Sequence, residues 1–229
     1  MKKIFNIIFI SVILVCFNSA KAENIPSNMS HNISVQKHIS DIGFRLLNAN
    51  KIEKRMNFVY CNDSKKPVID KSLSKKEAVI YDKKLAFASD DNEKAALLSL
   101  SIGRTIETYK GLFVSSSAKL APKKYEIIYD KKAVDYMVNA GYHPVALITF
   151  VNKAYPQKQG LIDFFKKNKT TKRLANIYEY IFVNYPYYLE NNPYLYSEAY
   201  QNFLLTSIDN RILLQKKIES GSKKPIKYE

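Results

Sequence analysis

The stretch DDNEKAALLSLSIGRTIETY, residues 90–109, predicts the central helix of this chain. Its polar start at 90–93 supplies an N-cap and the acidic residues that favour a first turn. The apolar residues that follow recur at helical spacing: Leu97, Leu98, Ile102 and Ile106. Gly111 marks the end of the pattern. We therefore expect a long amphipathic helix whose apolar stripe faces the core.

Further helices and a small sheet are predicted on both sides of this helix. Upstream, an amphipathic helix ending at Asn50 is indicated by Val35, Ile39, Ile42, Leu46 and Leu47. Residues 56–61, 77–81 and 84–88 have the pattern of short strands, the last two as a hairpin. Downstream, we expect helices over 122–141, 145–154 and 194–218. The predicted fold class is α+β, mostly helical, with a small sheet near the N-terminus.

The first 22 residues have the three parts of an export signal. Lys2 and Lys3 precede an apolar run over 4–17, and Ala20-Lys21-Ala22 forms a small-x-small cleavage site. Because a membrane span needs roughly 20 apolar residues, we expect cleavage after Ala22, with a retained anchor as the alternative. The sequence thus predicts a signal peptide at 1–22, a single domain at 23–218 and a basic flexible tail at 219–229. The expected location is the periplasm or cell envelope.

Composition narrows the classes of function. Lys and Arg together number 36 against 21 Asp and Glu, a net charge of +15. The basic residues are dispersed and nearly all are Lys, which argues against a nucleic-acid partner. Without the signal, Cys61 is the one remaining cysteine, so no internal disulfide is possible. The histidines lack ligand spacing, and we expect no histidine-built metal site.

Four stretches occur in a defined order between residues 35 and 155. They are IGFRLLNAN at 42–50, the Asn-Glu-x-Ala-Ala-Leu-Leu run at 92–98, EIIYD at 126–130 with Ala133 and Val134 after it, and AGYHP at 140–144. They resemble the leading helix, active-site helix, ExxAD segment and AGYDP string of the zinc metallopeptidase family of HtpX, BepA and the CAAX prenyl endopeptidases, peptidase family M-forty-eight. The resemblance implies a zincin-like metallopeptidase fold.

The resemblance also implies that the catalytic motif is degenerate. In HExxH, two histidines bind zinc and the glutamate between them is the general base. The matching positions here are Leu100, Ser101 and Arg104. Leucine has no ligand atom, serine is no base at neutral pH, and arginine is a permanent cation. We therefore predict no catalytic residue and no metal cofactor, with zinc as the alternative.

Two family acids are retained on the following helix. Glu126 matches the third zinc ligand of the family, and Asp130 matches the acid behind it. One interpretation places both on a solvated helix face. The other pairs Arg104 with Glu126 or Asp130, so that a guanidinium replaces the metal between two helices.

Two further segments offer binding surfaces. Val79, Ile80 and Tyr81 match the family's edge strand and are candidates for peptide binding by strand addition, the alternative being a covered edge. Eight tyrosines fall between 178 and 200, either as core packing or as a groove for unfolded peptide or glycan. The basic tail at 219–229 is a candidate for weak contact with an anionic membrane surface.

Together these features predict a noncatalytic pseudopeptidase of the cell envelope. Its expected role is binding or adaptor work in envelope protein quality control or assembly, with an envelope protein or unfolded peptide as partner. The first alternative is a zinc-dependent metalloendopeptidase with an atypical or partner-completed site. The second is an unrelated helical envelope protein.

Overall fold

The structure is a computed structural model, and it describes residues 27–62, 77–108, 122–156 and 169–228. The chain divides into two compact units, Met1–Ser34 and Val35–Glu229. The described part of the first unit is the start of a helix that continues into the second. The predicted signal peptide at 1–22 lies outside the described residues.

The described elements are mostly helical and include two short strands. In chain order they are α1 Ser27–Ala49, β1 Asn57–Cys61, β2 Glu77–Tyr81, α2 Asp82–Leu85, α3 Asp91–Thr108, α4 Pro122–Asn139, α5 Ala146–Ala154, α6 Lys169–Asn184, α7 Tyr187–Glu190, α8 Glu198–Thr206 and α9 Ile208–Glu219. The α+β, mostly helical class and the small sheet near the N-terminus are confirmed.

The two strands pair in parallel, with Val59 opposite Val79. On the other side of β1, the side chain of Gln36 takes the place of a third strand. Its Nε2 donates to the Phe58 carbonyl at 2.7 Å, and its Oε1 accepts from the Tyr60 N–H at 2.7 Å. One side chain therefore closes the outer edge of β1, and β2 is left as the other edge of the pair.

Helix α3 is the centre of the packing. It lies against α4, α5 and β2, and its predicted stripe is buried at Leu97, Leu98 and Ile102. Its start is fixed by Asp90, whose carboxylate accepts from the Glu93 N–H at 2.8 Å. The buried Glu93 side chain then accepts from the Thr149 hydroxyl at 2.7 Å and pairs with Lys153, both on α5. This network joins the first turn of α3 to α5.

Helices α3 and α4 approach closely at Gly103. A Cβ added there would lie 3.8 Å from the Tyr129 side chain on α4, so the two helices pack at ordinary van der Waals distance. Helix α4 ends before Gly141, whose φ of 74° is the left-handed conformation that glycine adopts at helix ends. The predicted helix at 122–141 therefore has its expected end.

Three sequence predictions about elements are corrected. The expected strand at 84–88 is absent from the described residues, because α2 follows β2 directly and turns the chain toward α3; β2 therefore pairs with β1 and not in a hairpin. The expected helix at 194–218 is interrupted at Ser207, which has φ −110° and ψ 12°. The sequence analysis did not predict α6, which packs against both α4 and α5.

The tyrosine-rich segment is mostly packing. Of the eight rings, Tyr187 and Tyr196 are exposed and the others are buried or half-buried. The hydroxyls of Tyr180 and Tyr185 donate to Asp135 on α4. These inward contacts correct the alternative of a groove formed by the whole set of rings.

The C-terminal segment differs from the flexible tail expected at 219–229. Tyr228 is 6% exposed, and its hydroxyl donates to Glu179 on α6 at 2.8 Å. Lys217 of α9 pairs with the same carboxylate at 2.7 Å. The segment is therefore anchored by its penultimate residue, which the basic composition did not reveal.

Within residues 27–62, 77–108, 122–156 and 169–228, no helix combines the length and apolar character of a bilayer span.

Candidate functional site

The three degenerate motif positions lie on one stretch of α3 beside α4. Leu100 is buried among core residues. Ser101 is buried as well, and its hydroxyl donates to the Leu97 carbonyl at 3.0 Å inside the helix. Arg104 is half-buried, one turn after Leu100. The first two side chains thus belong to the packing of the helix, and Arg104 is the polar group that the motif presents.

The two candidate acids on α4 are held by an arginine from α6. Arg173 donates through Nε to Asp130 Oδ2 at 2.8 Å and through Nη2 to Asp130 Oδ1 at 2.6 Å. Its Nη1 lies 3.2 Å from Glu126 Oε1. We call this set, Arg173 with Glu126 and Asp130, the Arg173 clasp. A guanidinium does bind both acids, but the interpretation that it belongs to Arg104 is wrong.

Burial sets the electrostatics of the Arg173 clasp. Asp130 and Arg173 are 1% and 6% exposed, whereas the Glu126 side chain is 41% exposed. Burial raises the pKa of Asp130, and the charge of Arg173 opposes this shift. Burial alone would lower the pKa of Arg173, but Asp130 and Glu126 hold it above its ordinary value. Asp130 therefore depends on Arg173 to stay ionised in the core.

The Arg173 guanidinium also lies near the phenol ring of Tyr155. The Arg173 guanidinium carbon lies 5.3 Å from the centre of the Tyr155 ring at the end of α5. The charges of Arg104 on α3 and Lys84 on α2 also act on Tyr155. Burial would raise the pKa of the Tyr155 phenol, but Lys84, Arg104 and Arg173 hold it below its ordinary value. We call Lys84, Arg104, Tyr155 and Arg173 the cation–tyrosine cluster.

Few of the described side chains near the Arg173 clasp could bind a metal ion. Within the part of the chain that the structure describes, no group of three or more His, Cys, Asp or Glu side chains comes together. The Ser101 hydroxyl is bonded within α3, and both α4 acids are engaged by Arg173. The arrangement has two chemical effects. The Arg173 clasp holds α4 and α6 together, and the cations of the cation–tyrosine cluster concentrate positive charge around the half-buried Tyr155 phenol.

The candidate peptide-binding strand is β2. The main-chain groups of Phe58 and Tyr60 on β1 bond Gln36 and therefore point away from β2. Those of Val59 point the other way and bond β2. Because Val59 lies opposite Val79 in the parallel pair, the main-chain N–H and C=O of Val79 point away from β1. The side chain of Ile80 is buried, and those of Val79 and Tyr81 are half-buried. Among the described residues, no hydrogen bond takes up the main-chain N–H or C=O of Val79.

Sequence analysis did not identify Arg173 and Tyr155. A signal for Arg173 was present: it stands four residues before Ile177 and eight before Ile181, both buried on α6. An arginine within an apolar stripe indicates a buried ion pair. Tyr155 had no such signal, because it lies just past the end of α5 and its neighbours come from three other elements.

Comparison with protein-family models, curated proteins and solved structures found no match for this chain. The structure itself defines the class of the protein: it is mostly helical, with a small two-stranded parallel sheet.

Proposed function

We propose that this chain is a noncatalytic binding or adaptor protein of the cell envelope, built on the plan of a zinc metallopeptidase whose metal site has been lost. The observation that carries the proposal is the Arg173 clasp. Glu126 and Asp130, the two acids that match the family's ExxAD segment, are bound by a guanidinium at 3.2 Å and 2.6 Å. In the family, the matching acids bind or support a metal ion, whereas here they bind the positive charge of Arg173.

The relative placement of α3 and α4 supports the proposal. The family requires the helix with the HExxH positions to face the helix with the ExxAD acids. Here the two helices are packed neighbours, in contact at Gly103 and Tyr129. An unrelated helical protein would have no reason to combine this adjacency with two acids at the expected positions.

The outer edge of β2 is the proposed binding surface. Strand addition requires main-chain groups that face away from their own sheet. Val79 provides them, while the edge of β1 is already closed by Gln36. The proposed partner is an extended segment of an unfolded or assembling envelope protein.

Peptide binding tests this surface directly. The purified protein should bind fluorescein-labelled unfolded peptides, measured by fluorescence polarisation. Val79→Pro removes one outward N–H without removing a bond to β1, and should weaken binding at least severalfold. Val79→Thr is the matched control, because it keeps the N–H. Equal binding by the proline and threonine variants would contradict strand addition at β2.

Elemental analysis tests the loss of the metal site. The purified protein should contain no stoichiometric zinc, because a catalytic site normally has three protein ligands. One zinc per chain that resists dialysis and is lost on Glu126→Ala would favour the metalloendopeptidase alternative.

N-terminal sequencing tests the proposed export. The sequence of the protein from envelope fractions should begin at Glu23, and a start at Met1 would contradict cleavage of the signal.

A further inference from the structure

Helix α9 carries apolar side chains on two opposite sides. Leu214 is buried, on the side where α9 packs against α6. Ile212 precedes Leu214 by two residues, and two residues turn an α-helix by about 200°, so Ile212 points away from the domain. Ile212 is 45% exposed, and Ile208, one turn earlier on the same side, is exposed as well. On a surface helix this side usually carries polar residues.

The exposed apolar surface extends beyond the two isoleucines. Leu205, near the end of α8 and three residues before Ile208, is 70% exposed. Leu213 is exposed next to Ile212. We call Leu205, Ile208, Ile212 and Leu213 the α9 patch. Large apolar side chains grouped in this way on a surface mark a contact with another protein or with a membrane.

The charge around the α9 patch is positive. Lys216 is exposed one turn after Ile212, and therefore on the same side of α9. Between residues 205 and 228, six residues are Lys or Arg and two are acidic. The acids are Asp209 at the start of α9 and Glu219 at its end. The excess of cations favours an anionic partner.

A fixed loop holds three of these cations at the end of α9. Glu179 of α6 accepts from Lys217 at 2.7 Å and from the Tyr228 hydroxyl at 2.8 Å, so one carboxylate holds both ends of the segment 218–227. Gly221, with a φ of 62°, turns the chain where the helix ends. We call residues 218–227 the lysine loop; its exposed lysines are Lys223, Lys224 and Lys227. Their charges are held near the last turn of α9.

We infer that the α9 patch and the lysine loop together bind the surface of a bilayer that contains anionic lipids. The apolar side chains enter the boundary between headgroups and acyl chains, and the lysines bind lipid phosphates. A second copy of this chain, with its net charge of +15, offers no such negative surface. The inference is independent of strand addition at β2, because it uses other elements.

Vesicle flotation tests the apolar contribution. The chain from Glu23 onward is used, because the apolar run of the signal would itself enter a bilayer. It should bind vesicles of phosphatidylglycerol and phosphatidylcholine about tenfold more tightly than vesicles of phosphatidylcholine alone. Ile208→Gln with Ile212→Gln should weaken binding to the anionic vesicles about tenfold. Ile208→Leu with Ile212→Leu is the matched control, which keeps the apolar surface and should keep the binding.

The charge contribution is tested in the same assay. Lys223→Gln with Lys224→Gln should weaken binding to the anionic vesicles about tenfold and reduce its dependence on salt. Lys51→Gln with Lys83→Gln is the matched control. It removes two exposed charges from the loop after α1 and from α2, outside the α9 patch and the lysine loop, and should leave binding unchanged.

Several results would overturn the inference. They are absence of binding to anionic vesicles, equal binding to both kinds of vesicle, and binding that either glutamine pair leaves unchanged. A protein that does not float but dimerises in sedimentation equilibrium, and loses the dimer on Ile208→Gln with Ile212→Gln, would assign the α9 patch to a second copy instead. Circular dichroism confirms that each variant is folded, and the comparison of the two vesicles needs no variant.

Discussion

Arg173 and Asp130 form a doubly hydrogen-bonded ion pair between α6 and α4, with both side chains out of contact with bulk water. The distances are 2.8 Å from Nε to Oδ2 and 2.6 Å from Nη2 to Oδ1. The planar guanidinium fits the carboxylate edge to edge, which lysine cannot do. The relationship shows that the polar centre of this fold is organised by α6, an element that carries no recognised family motif.

Removal of Arg173 should therefore be costly. Arg173→Ala leaves Asp130 as an uncompensated charge in the core, and we expect it to lower the free energy of unfolding by about 3–5 kcal/mol. Arg104→Ala, which strands no buried acid, should cost less than about 1 kcal/mol. Urea unfolding followed by circular dichroism measures both. A larger loss for Arg104→Ala than for Arg173→Ala would contradict the assignment of the clasp.

The pH dependence of the Arg173→Ala variant provides a second check on the clasp. Without Arg173, burial and the charge of Glu126 raise the pKa of Asp130 further above the unfolded-state value, and the charge of Arg104 opposes them. The folded variant then takes up a proton that the unfolded chain does not. Its stability deficit relative to the wild type should therefore shrink as the pH falls toward the range where Asp130 is protonated. A constant deficit would contradict this account.

Sequence patterns predicted the elements whose stability is local and periodic. The apolar stripes of α1 and α3, the strands at 57–61 and 77–81, and the glycine end of α4 all agree with the structure. The break at Ser207 was missed because apolar residues continue on both sides of it. Helix α6 was missed because its start, Lys169-Thr170-Thr171-Lys172, is polar and lacks a strong helix signal.

The candidate site was less predictable than the fold. Sequence analysis identified the acids on α4, because they stand in a motif, but gave them the wrong arginine. Arg104 was proposed because it stands at a histidine position of the HExxH match, whereas Arg173 lies outside every matched stretch and is 43 residues from Asp130 in sequence. Side-chain partners of this kind depend on how three helices pack together, and periodicity within one helix carries no information about that packing.

Two glycines on neighbouring helices should respond oppositely to alanine. A Cβ at Gly43 of α1 would lie 2.5 Å from the ring of Phe58, which is 4% exposed and has little room to move. Gly43→Ala should therefore destabilise by about 1–3 kcal/mol. A Cβ at Gly103 meets Tyr129 at 3.8 Å, so Gly103→Ala should be neutral or stabilising by up to about 1 kcal/mol through helix propensity. Thermal unfolding of the pair tests both spacings, and a destabilised Gly103→Ala would contradict the α3–α4 contact.

His143 should make the protein sensitive to mild acid. Its ring packs edge-on against Tyr188 with centroids 5.0 Å apart, and its buried Nδ1 has no hydrogen-bond partner among the described residues. Burial lowers the pKa of His143 below its ordinary value of 6.5, against a hydrogen bond to the Asn191 carbonyl and the charge of Asp90.

The sign of this effect follows from proton linkage. Because the pKa of His143 is lower in the folded state, the unfolded chain binds the additional proton as the pH falls below about 6.5. Stability is therefore present above that pH and declines toward the folded-state pKa. The free energy of unfolding should fall between pH 7.5 and 5.5, and His143→Gln should flatten the decline. An unchanged slope in His143→Gln would assign the acid sensitivity to other groups.

Rebuilding the metal motif provides the strongest test of the architecture. Leu100→His, Ser101→Glu and Arg104→His together place two imidazoles one turn apart on α3, and Glu126 lies on α4, which packs against α3. With the helices in contact at Gly103, this set contains the three protein ligands of a catalytic zinc site. We expect measurable zinc affinity, reduced by the guanidinium that remains 3.2 Å from Glu126. Because metal binding stabilises the folded state, zinc should raise the melting temperature of the triple variant and leave the wild type unchanged.

The controls for this variant isolate the ligands. Addition of Glu126→Ala to the triple variant should abolish the zinc-dependent shift, because two imidazoles alone form an incomplete site. If the buried Ser101→Glu change prevents folding, Leu100→His with Arg104→His keeps all three ligands and omits only the base. Isothermal titration with zinc then measures the affinity directly. A folded variant that binds no zinc would show that positions 100 and 104 do not face Glu126, and the proposed relation to the metallopeptidases would fail with it.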